Sequence, residues 1–173
     1  SPEKTVFDSA SSAPHALVTD TLLPYGVANA PEYAEFHIPV NYYGEMVDLY
    51  FQQRLDINEG EAWGWLEYFE PGIGWNRVQN QGGWGGASLP GVIYYASETA
   101  TSTDSGLVYL QATAGWSTEY YRFICNAVLV GEQNRGGDVD TMRFRFAFRS
   151  TANSTGRDGW MIDDVFIQNL GTC

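Results

Sequence analysis

The sequence predicts an all-β fold, built as a single antiparallel β-sandwich. Apolar and polar residues alternate along several segments, and this period of two is typical of half-buried strands. Turn-forming residues separate the segments, and no convincing amphipathic helix is found. Many short strands with turns between them indicate a sandwich or barrel rather than an α/β fold. No repeat or linker divides the chain, so we expect one domain over residues 1–173.

The clearest predicted strand covers residues 142–149, where four apolar side chains alternate with Arg143, Arg145, Ala147 and Arg149. This pattern indicates an antiparallel strand with one face in the core. The arginines either hold an acidic ligand through bidentate hydrogen bonds or pair with acids on the neighbouring strand, and the number of acids available favours pairing. Further strands are predicted over residues 34–40, 47–55, 63–69, 107–113, 120–130 and 160–167.

The charge balance narrows the range of partners. Nine basic residues against 21 acidic ones give a net charge of −12, which argues against nucleic acid and anionic membranes. An acid surplus suits divalent cations such as calcium, although solubility alone would explain it equally well. Cys125 and Cys173 are too few for a disulfide framework or a zinc site, and whether they form a bridge stays open.

The aromatic content points to a binding surface. Six tryptophans and 11 tyrosines exceed what a core of this size requires. An aromatic ring can stack on the C–H face of a sugar while amides and acids bind its hydroxyl groups. The candidates lie in turn-rich stretches, one of them in a glycine-rich loop predicted over residues 79–91. They are Trp84, Tyr94, Tyr95 and Trp116.

A structural role is the alternative for these aromatic residues, because rings can also cover the sandwich or fill gaps beneath the loop. Trp63, Trp65 and Trp160 lie on predicted strands. We expect these three in the core, where most large apolar side chains are found.

The closing strand carries the first candidate metal ligand. Alternation puts Asp163 on one face with Met161 and Ile167, and Asp164 on the other with Phe166. Whichever face is buried, an aspartate then lies among large apolar neighbours. A buried carboxylate costs several kcal/mol unless a cation or hydrogen-bond donors compensate for the lost water.

An acidic turn after the predicted strand 47–55 supplies three more candidate ligands, Asp56, Glu59 and Glu61. Hard oxygen ligands in this number suit calcium rather than zinc or copper. The alternative is that the turn is solvated and that backbone N–H groups cap one of Asp163 and Asp164.

Two parts of the chain resemble a known group of modules. Arg-Phe-Arg-Phe at residues 143–146, followed by a polar turn and Asp-Gly-Trp-Met-Ile-Asp-Asp-Val at 158–165, is similar to the closing two strands of MAM-like and immune-inhibitor-A-like jelly-roll modules, including the cleaved-adhesin type. Residues 47–53, an acidic turn, 64–68 and 74–75 resemble a strand pair of the same group. Together these stretches cover about half the chain, in the right order.

The resemblance implies a jelly-roll or concanavalin-like sandwich with a structural calcium ion. In that group the first aspartate of the pair, here Asp163, is an inward-facing ligand, joined by an acid from the first strand, here Asp8. Such modules are appended to bacterial secreted peptidases and adhesins, which implies a secreted or cell-surface location. Carbohydrate is the implied ligand.

The motifs of common hydrolases do not occur in the sequence. His15 and His37 lack the His-Glu-x-x-His spacing of zinc proteases, and no Gly-x-Ser-x-Gly elbow is present. Glu61 and Glu67 are the one carboxylate pair worth testing for glycoside hydrolysis, which needs carboxylates roughly 5 to 9.5 Å apart. We therefore expect a non-catalytic, calcium-stabilised module that binds carbohydrate. The alternative is an adhesive or docking module with a protein partner, such as a neighbouring peptidase domain.

Overall fold

The strands form two antiparallel sheets that pack as a β-sandwich in the computed structural model. The structure describes residues 10–12, 16–19, 25–40, 45–70, 72–79, 92–95, 99–123, 140–151 and 156–172. Every regular element within these ranges is a strand. The predicted all-β sandwich is therefore confirmed, and its architecture is consistent with a jelly roll. No helix that could span a membrane occurs among the described residues.

The strands divide between the sheets as follows. In chain order they are β1 (Leu17–Val18), β2 (Ala28–Val40), β3 (Glu45–Asp56), β4 (Ala62–Glu70), β5 (Gly74–Arg77), β6 (Val92–Tyr95), β7 (Ala100–Thr103), β8 (Gly106–Tyr109), β9 (Ser117–Phe123), β10 (Asp140–Ser150) and β11 (Gly159–Thr172). Sheet A has the spatial order β1, β11, β3, β9, β6, and sheet B has the order β2, β10, β4, β8, β7. Strand β5 pairs with β4 beside β8.

Strand β10 shows why alternation predicted this fold. It lies between β2 and β4 in sheet B, so both of its edges are paired and only its two faces differ. The apolar positions face sheet A and are almost completely buried, whereas the arginines point outward. Each buried aromatic side chain stabilises the fold by about 1.5–3 kcal/mol. The inward residues are Met142, Phe144, Phe146 and Phe148.

A β-bulge in β11 overturns the predicted alternation beyond Asp163. Asp163 pairs with Gln52 and Phe166 with Tyr50, so β11 has one residue more than β3 between these pairs. Asp164 takes a φ of 49°, a left-handed conformation that aspartate adopts more readily than most residues. The bulge turns Phe166 outward, where it is 59% exposed, and turns Ile167 toward the core.

The prediction that three tryptophans are buried in the core is correct for Trp160 and wrong for Trp63, which is only partly buried; Trp65 is buried, 3% exposed, but outside the main core cluster. Trp160 lies in the core cluster, whereas Trp63 and Trp65 pair with Arg149 and Ala147 on the outer face of sheet B. The neighbouring inward position is Gly64, where an added Cβ would lie 2.7 Å from Cε3 of Trp160. A glycine is needed there because the indole of Trp160 occupies the space.

Candidate functional site

A pocket of about 330 Å³ lies beside the loop that joins β8 to β9. Trp116, one of the predicted ligand-binding residues, lines this pocket and is partly buried. We call it the Trp116 pocket. Other lining residues offer one carboxamide and three hydroxyl groups. They are Thr99, Gln111, Thr113 and Ser117.

Hydrogen bonds to β3 hold the loop of the Trp116 pocket in place. The backbone N–H of Thr113 donates to the carbonyl of Leu55 at 2.9 Å. In return, the backbone N–H of Leu55 donates to the Thr113 hydroxyl at 3.0 Å. This reciprocal pair fixes the middle of the loop against a buried strand, so the pocket wall is largely formed before a ligand arrives.

A fully buried carboxylate lies beneath the pocket. Glu119 is 0% exposed, and its Oε1 accepts hydrogen bonds from Gln53 Nε2 at 2.7 Å, from the Ser117 hydroxyl at 3.4 Å and from the Thr99 hydroxyl. Thr99 and Ser117 also line the Trp116 pocket. The buried carboxylate therefore orients two hydroxyl groups of the pocket from below.

The same polar network reaches across the sandwich. Tyr109 of sheet B donates to Oε2 of Glu119 at 3.3 Å and shares a hydrogen bond with the hydroxyl of Tyr121. Gln53 accepts a hydrogen bond from Nε1 of Trp160 at 2.8 Å. Sequence reasoning missed Glu119, although residues 117–123 alternate and place this acid on the same face as Tyr121.

Asp163, the principal predicted calcium ligand, is 6% exposed and lies on the outer face of sheet A. Its carboxylate accepts hydrogen bonds from the backbone N–H of Ser12 at 2.7 Å, from the backbone N–H of Asp164 at 2.8 Å and from the Ser12 hydroxyl at 3.2 Å. Burial alone would raise the pKa of Asp163, but these hydrogen bonds outweigh it and lower the pKa below its usual value. This is the capped arrangement given above as the alternative to calcium.

Asp56 has partners of its own. It accepts hydrogen bonds from Arg157 Nη1 at 2.8 Å and from the backbone N–H of Asp158 at 2.9 Å. Its strand partner is Gly159, four residues before Asp163, and four residues of strand span about 13 Å. The structure therefore does not bring Asp56 and Asp163 together.

Two further predicted calcium ligands, Glu59 and Glu61, do not join Asp56 or Asp163 in a group of three possible metal ligands within the described residues. Glu61 accepts a hydrogen bond from Asn58 at 3.2 Å, and Glu59 is exposed. No group of three residues that could hold a metal ion forms among the described residues. Asp8 lies outside the described residues, so a calcium site that includes it stays a prediction.

Several other predicted positions have little or no description. Trp84, Cys125 and Cys173 lie outside the described residues. For Tyr94 and Tyr95 the structure describes only the strand pairing, which places β6 at the edge of sheet A next to β9. Of the four aromatic candidates, Trp116 is thus the one whose surroundings are known.

The carboxylate pair considered for hydrolysis does not converge. Six residues along an extended chain separate Glu61 from Glu67, which corresponds to about 20 Å and exceeds the separation that glycosidases use. Glu67 is engaged elsewhere, because it accepts hydrogen bonds from Trp65 Nε1 at 2.6 Å and from Arg145 Nε at 2.5 Å.

The outer face of sheet B carries a second notable cluster, four arginines that lie over aromatic rings. We call this surface the arginine face, formed by Arg77, Arg143, Arg145 and Arg149. The expected pairing with acids is confirmed for two of them, because Arg143 contacts Glu35 at 2.7 Å and Arg145 contacts Glu67. Hydrogen bonds with His37 and Arg143 lower the pKa of Glu35.

Comparison with known proteins adds nothing to this geometry. No protein-family model and no curated protein sequence matches the chain. The likeness to MAM-like and immune-inhibitor-A-like modules therefore stays a resemblance.

Proposed function

We propose that this chain is a non-catalytic carbohydrate-binding module of a secreted or cell-surface protein, and that the Trp116 pocket holds one sugar ring of the ligand. The observation that carries the proposal is the combination of one indole ring, one carboxamide and three hydroxyl groups around a single pocket. Its volume of about 330 Å³ falls at the lower end of the range for small-molecule sites. A pocket of that size suits one sugar unit.

The chemistry of the lining matches that of a neutral sugar. An indole offers an apolar surface to the C–H face of the ring. The Gln111 carboxamide can donate and accept hydrogen bonds, as sugar hydroxyls do. The Thr113 hydroxyl, which accepts from Leu55, keeps its own hydrogen to donate, whereas the Thr99 hydroxyl donates to Glu119 and would accept from a sugar. None of the lining side chains is charged, and Glu119 beneath them is fully buried.

Preorganisation supports the same proposal. A ligand loses affinity when side chains and loops must be ordered on binding. Thr113 is already tied to β3, and two hydroxyl groups are already oriented by Glu119. Little ordering of the wall remains to be done when a sugar enters.

A glycan array followed by calorimetry on the best saccharide tests this function. Trp116→Ala should weaken binding at least tenfold, which corresponds to about 1.4 kcal/mol, while its melting temperature stays close to that of the wild type. Trp75→Ala is the matched control, because it removes an equally large, partly buried ring from the outer face of sheet B. The proposal would be overturned if the protein binds no glycan on the array, or if Trp116→Ala binds the saccharide as tightly as the wild type does.

A further inference from the structure

The arginine face concentrates positive charge on an acidic chain. Four of the nine basic residues of the chain lie on it, although the net charge of the whole chain is −12. Among the described residues, the outward positions of β2, β10, β4 and β5 hold only two acids, Glu35 and Glu67. This surface is therefore locally positive and would attract an anionic partner.

The guanidinium groups of the arginine face lie over aromatic rings of the same surface. Arg145 lies 3.6 Å from the centroid of Tyr33 and 4.2 Å from that of Trp75. Arg77 lies 4.3 Å above Trp65, and Arg143 lies 4.3 Å above Phe69. Because arginines cover these ring faces, the surface offers guanidinium N–H groups rather than rings to a ligand. It is suited to anions and not to stacking on a sugar.

Two of the four arginines have no carboxylate within ion-pair distance in the described part of the chain. These are Arg77 and Arg149, and the Nε atom of each is buried without a hydrogen-bond acceptor. Arg149 lies over Trp63 at 5.5 Å. A partly desolvated guanidinium gains more from an incoming carboxylate than a solvated one does. Glu35 and Glu67 meanwhile fix the other two arginines in place.

The spacing of the arginines along β10 matches the spacing of alternate side chains in an extended polypeptide. Arg143 and Arg145 are two residues apart and share a face, which corresponds to about 7 Å, and Arg149 follows about 14 Å further on. Side chains on one face of any extended chain repeat at the same interval. Ala147, between Arg145 and Arg149, is fully buried, so a partner chain would contact the side chains that flank it rather than the strand itself.

We infer that the arginine face docks an acidic polypeptide segment in extended conformation, with Asp or Glu at alternate positions, lying along β10. Arginine, tryptophan and tyrosine are the residues that dominate protein–protein hot spots, and this face consists largely of them. The inference does not depend on the Trp116 pocket, which lies beside the β8–β9 loop and takes an uncharged ligand.

Labelled peptides of about 12 residues, long enough to cover β10 when extended, test the inference by fluorescence anisotropy. The probe alternates glutamate and threonine, one control replaces glutamate by glutamine, and another keeps the composition but arranges the glutamates in adjacent pairs. We expect the alternating acidic peptide to bind most tightly and to lose about tenfold in affinity between low and high salt.

Substitutions locate the binding surface. Arg149→Gln and Arg77→Gln should each lower the affinity for the acidic peptide at least about fivefold. Arg157→Gln is the control and should leave the affinity unchanged, because Arg157 pairs with Asp56 of sheet A. Thermal melts confirm that each variant is folded. Equal binding of the glutamine peptide, no binding of the acidic one, or a polygalacturonate that binds through these arginines in its place would overturn the inference.

Discussion

Asp163 is a buried carboxylate whose lost hydration is compensated by hydrogen-bond donors of the protein. Three hydrogen-bond donors from Ser12 and Asp164 compensate for its burial, and its pKa lies below the usual value in the folded protein. In the unfolded chain the pKa returns to about 3.9. Ionised Asp163 therefore stabilises the fold at pH values above about 4, and this contribution is lost as the pH falls through the lower folded value.

Asp163→Asn should reveal this contribution through its pH dependence. The amide keeps one acceptor oxygen and loses the charge, so we expect the free energy of unfolding to fall by about 1–3 kcal/mol near pH 7. The difference from the wild type should shrink below about pH 4. Urea titrations at several pH values measure it, with exposed Asp164→Asn as the charge-matched control. A difference independent of pH would contradict this account.

The calcium prediction gives a separate result with the same proteins. An ion bound only to the folded state stabilises it by mass action. If a site including Asp163 and Asp8 exists, a chelator should lower the melting temperature of the wild type and have no effect on Asp163→Asn. If the chelator leaves the wild-type melt unchanged while Asp163→Asn is still destabilised, the hydrogen-bond donors alone stabilise this carboxylate.

At the scale of the strand, the bulge in β11 decides which side chains reach the core. Asp164 adopts a positive φ, and the register shift behind it turns Ile167 toward Leu49. Asp164→Val should cost about 1–3 kcal/mol because a β-branched residue is strained in this conformation. Asp164→Gly is the control and should be tolerated. Equal stability of the two variants in urea would show that the bulge relocates at little cost.

Strand β10 could be predicted because it is paired on both edges, so that its two faces differ and its apolar and polar side chains alternate. The bulge in β11 could not be predicted, because it is defined by the register between β11 and β3. Its one local sign in the sequence is Asp164, a residue type that tolerates a positive φ. Trp65 is buried as expected, but the sequence did not show that it lies on the outer face of its sheet. Its strand carries large apolar residues on both faces, and the inward face is the one on which Gly64 leaves room for the indole of Trp160.

The candidate site was predictable in part. Trp116 stood out because it lies among turn residues, where a large ring is not required by a strand. Glu119 was overlooked because its partners come from distant parts of the chain, and 66 positions separate it from Gln53. No local pattern shows that an inward-facing acid will meet a buried carboxamide and a tyrosine hydroxyl.

At the scale of the whole molecule, the polar network around Glu119 links the two sheets in an otherwise apolar interior. Gln53, Tyr121 and Trp160 belong to sheet A, whereas Tyr109 comes from sheet B. Buried polar groups strengthen one another in a low-dielectric interior when they are satisfied, and they are costly when they are not. We therefore expect the stability of the sandwich and the shape of the Trp116 pocket to depend on the same carboxylate.

Glu119→Ala should lower the free energy of unfolding by about 3–5 kcal/mol, because it leaves several buried donors without their acceptor. Glu119→Gln keeps the shape and one acceptor oxygen, so it should cost clearly less, about 1–2 kcal/mol. Since an amide replaces the carboxylate that accepts hydrogen bonds from Thr99 and Ser117, the glutamine variant should still bind saccharide more weakly. Urea unfolding and calorimetry measure the two effects, and equal stability of both variants would show that the network around Glu119 is dispensable.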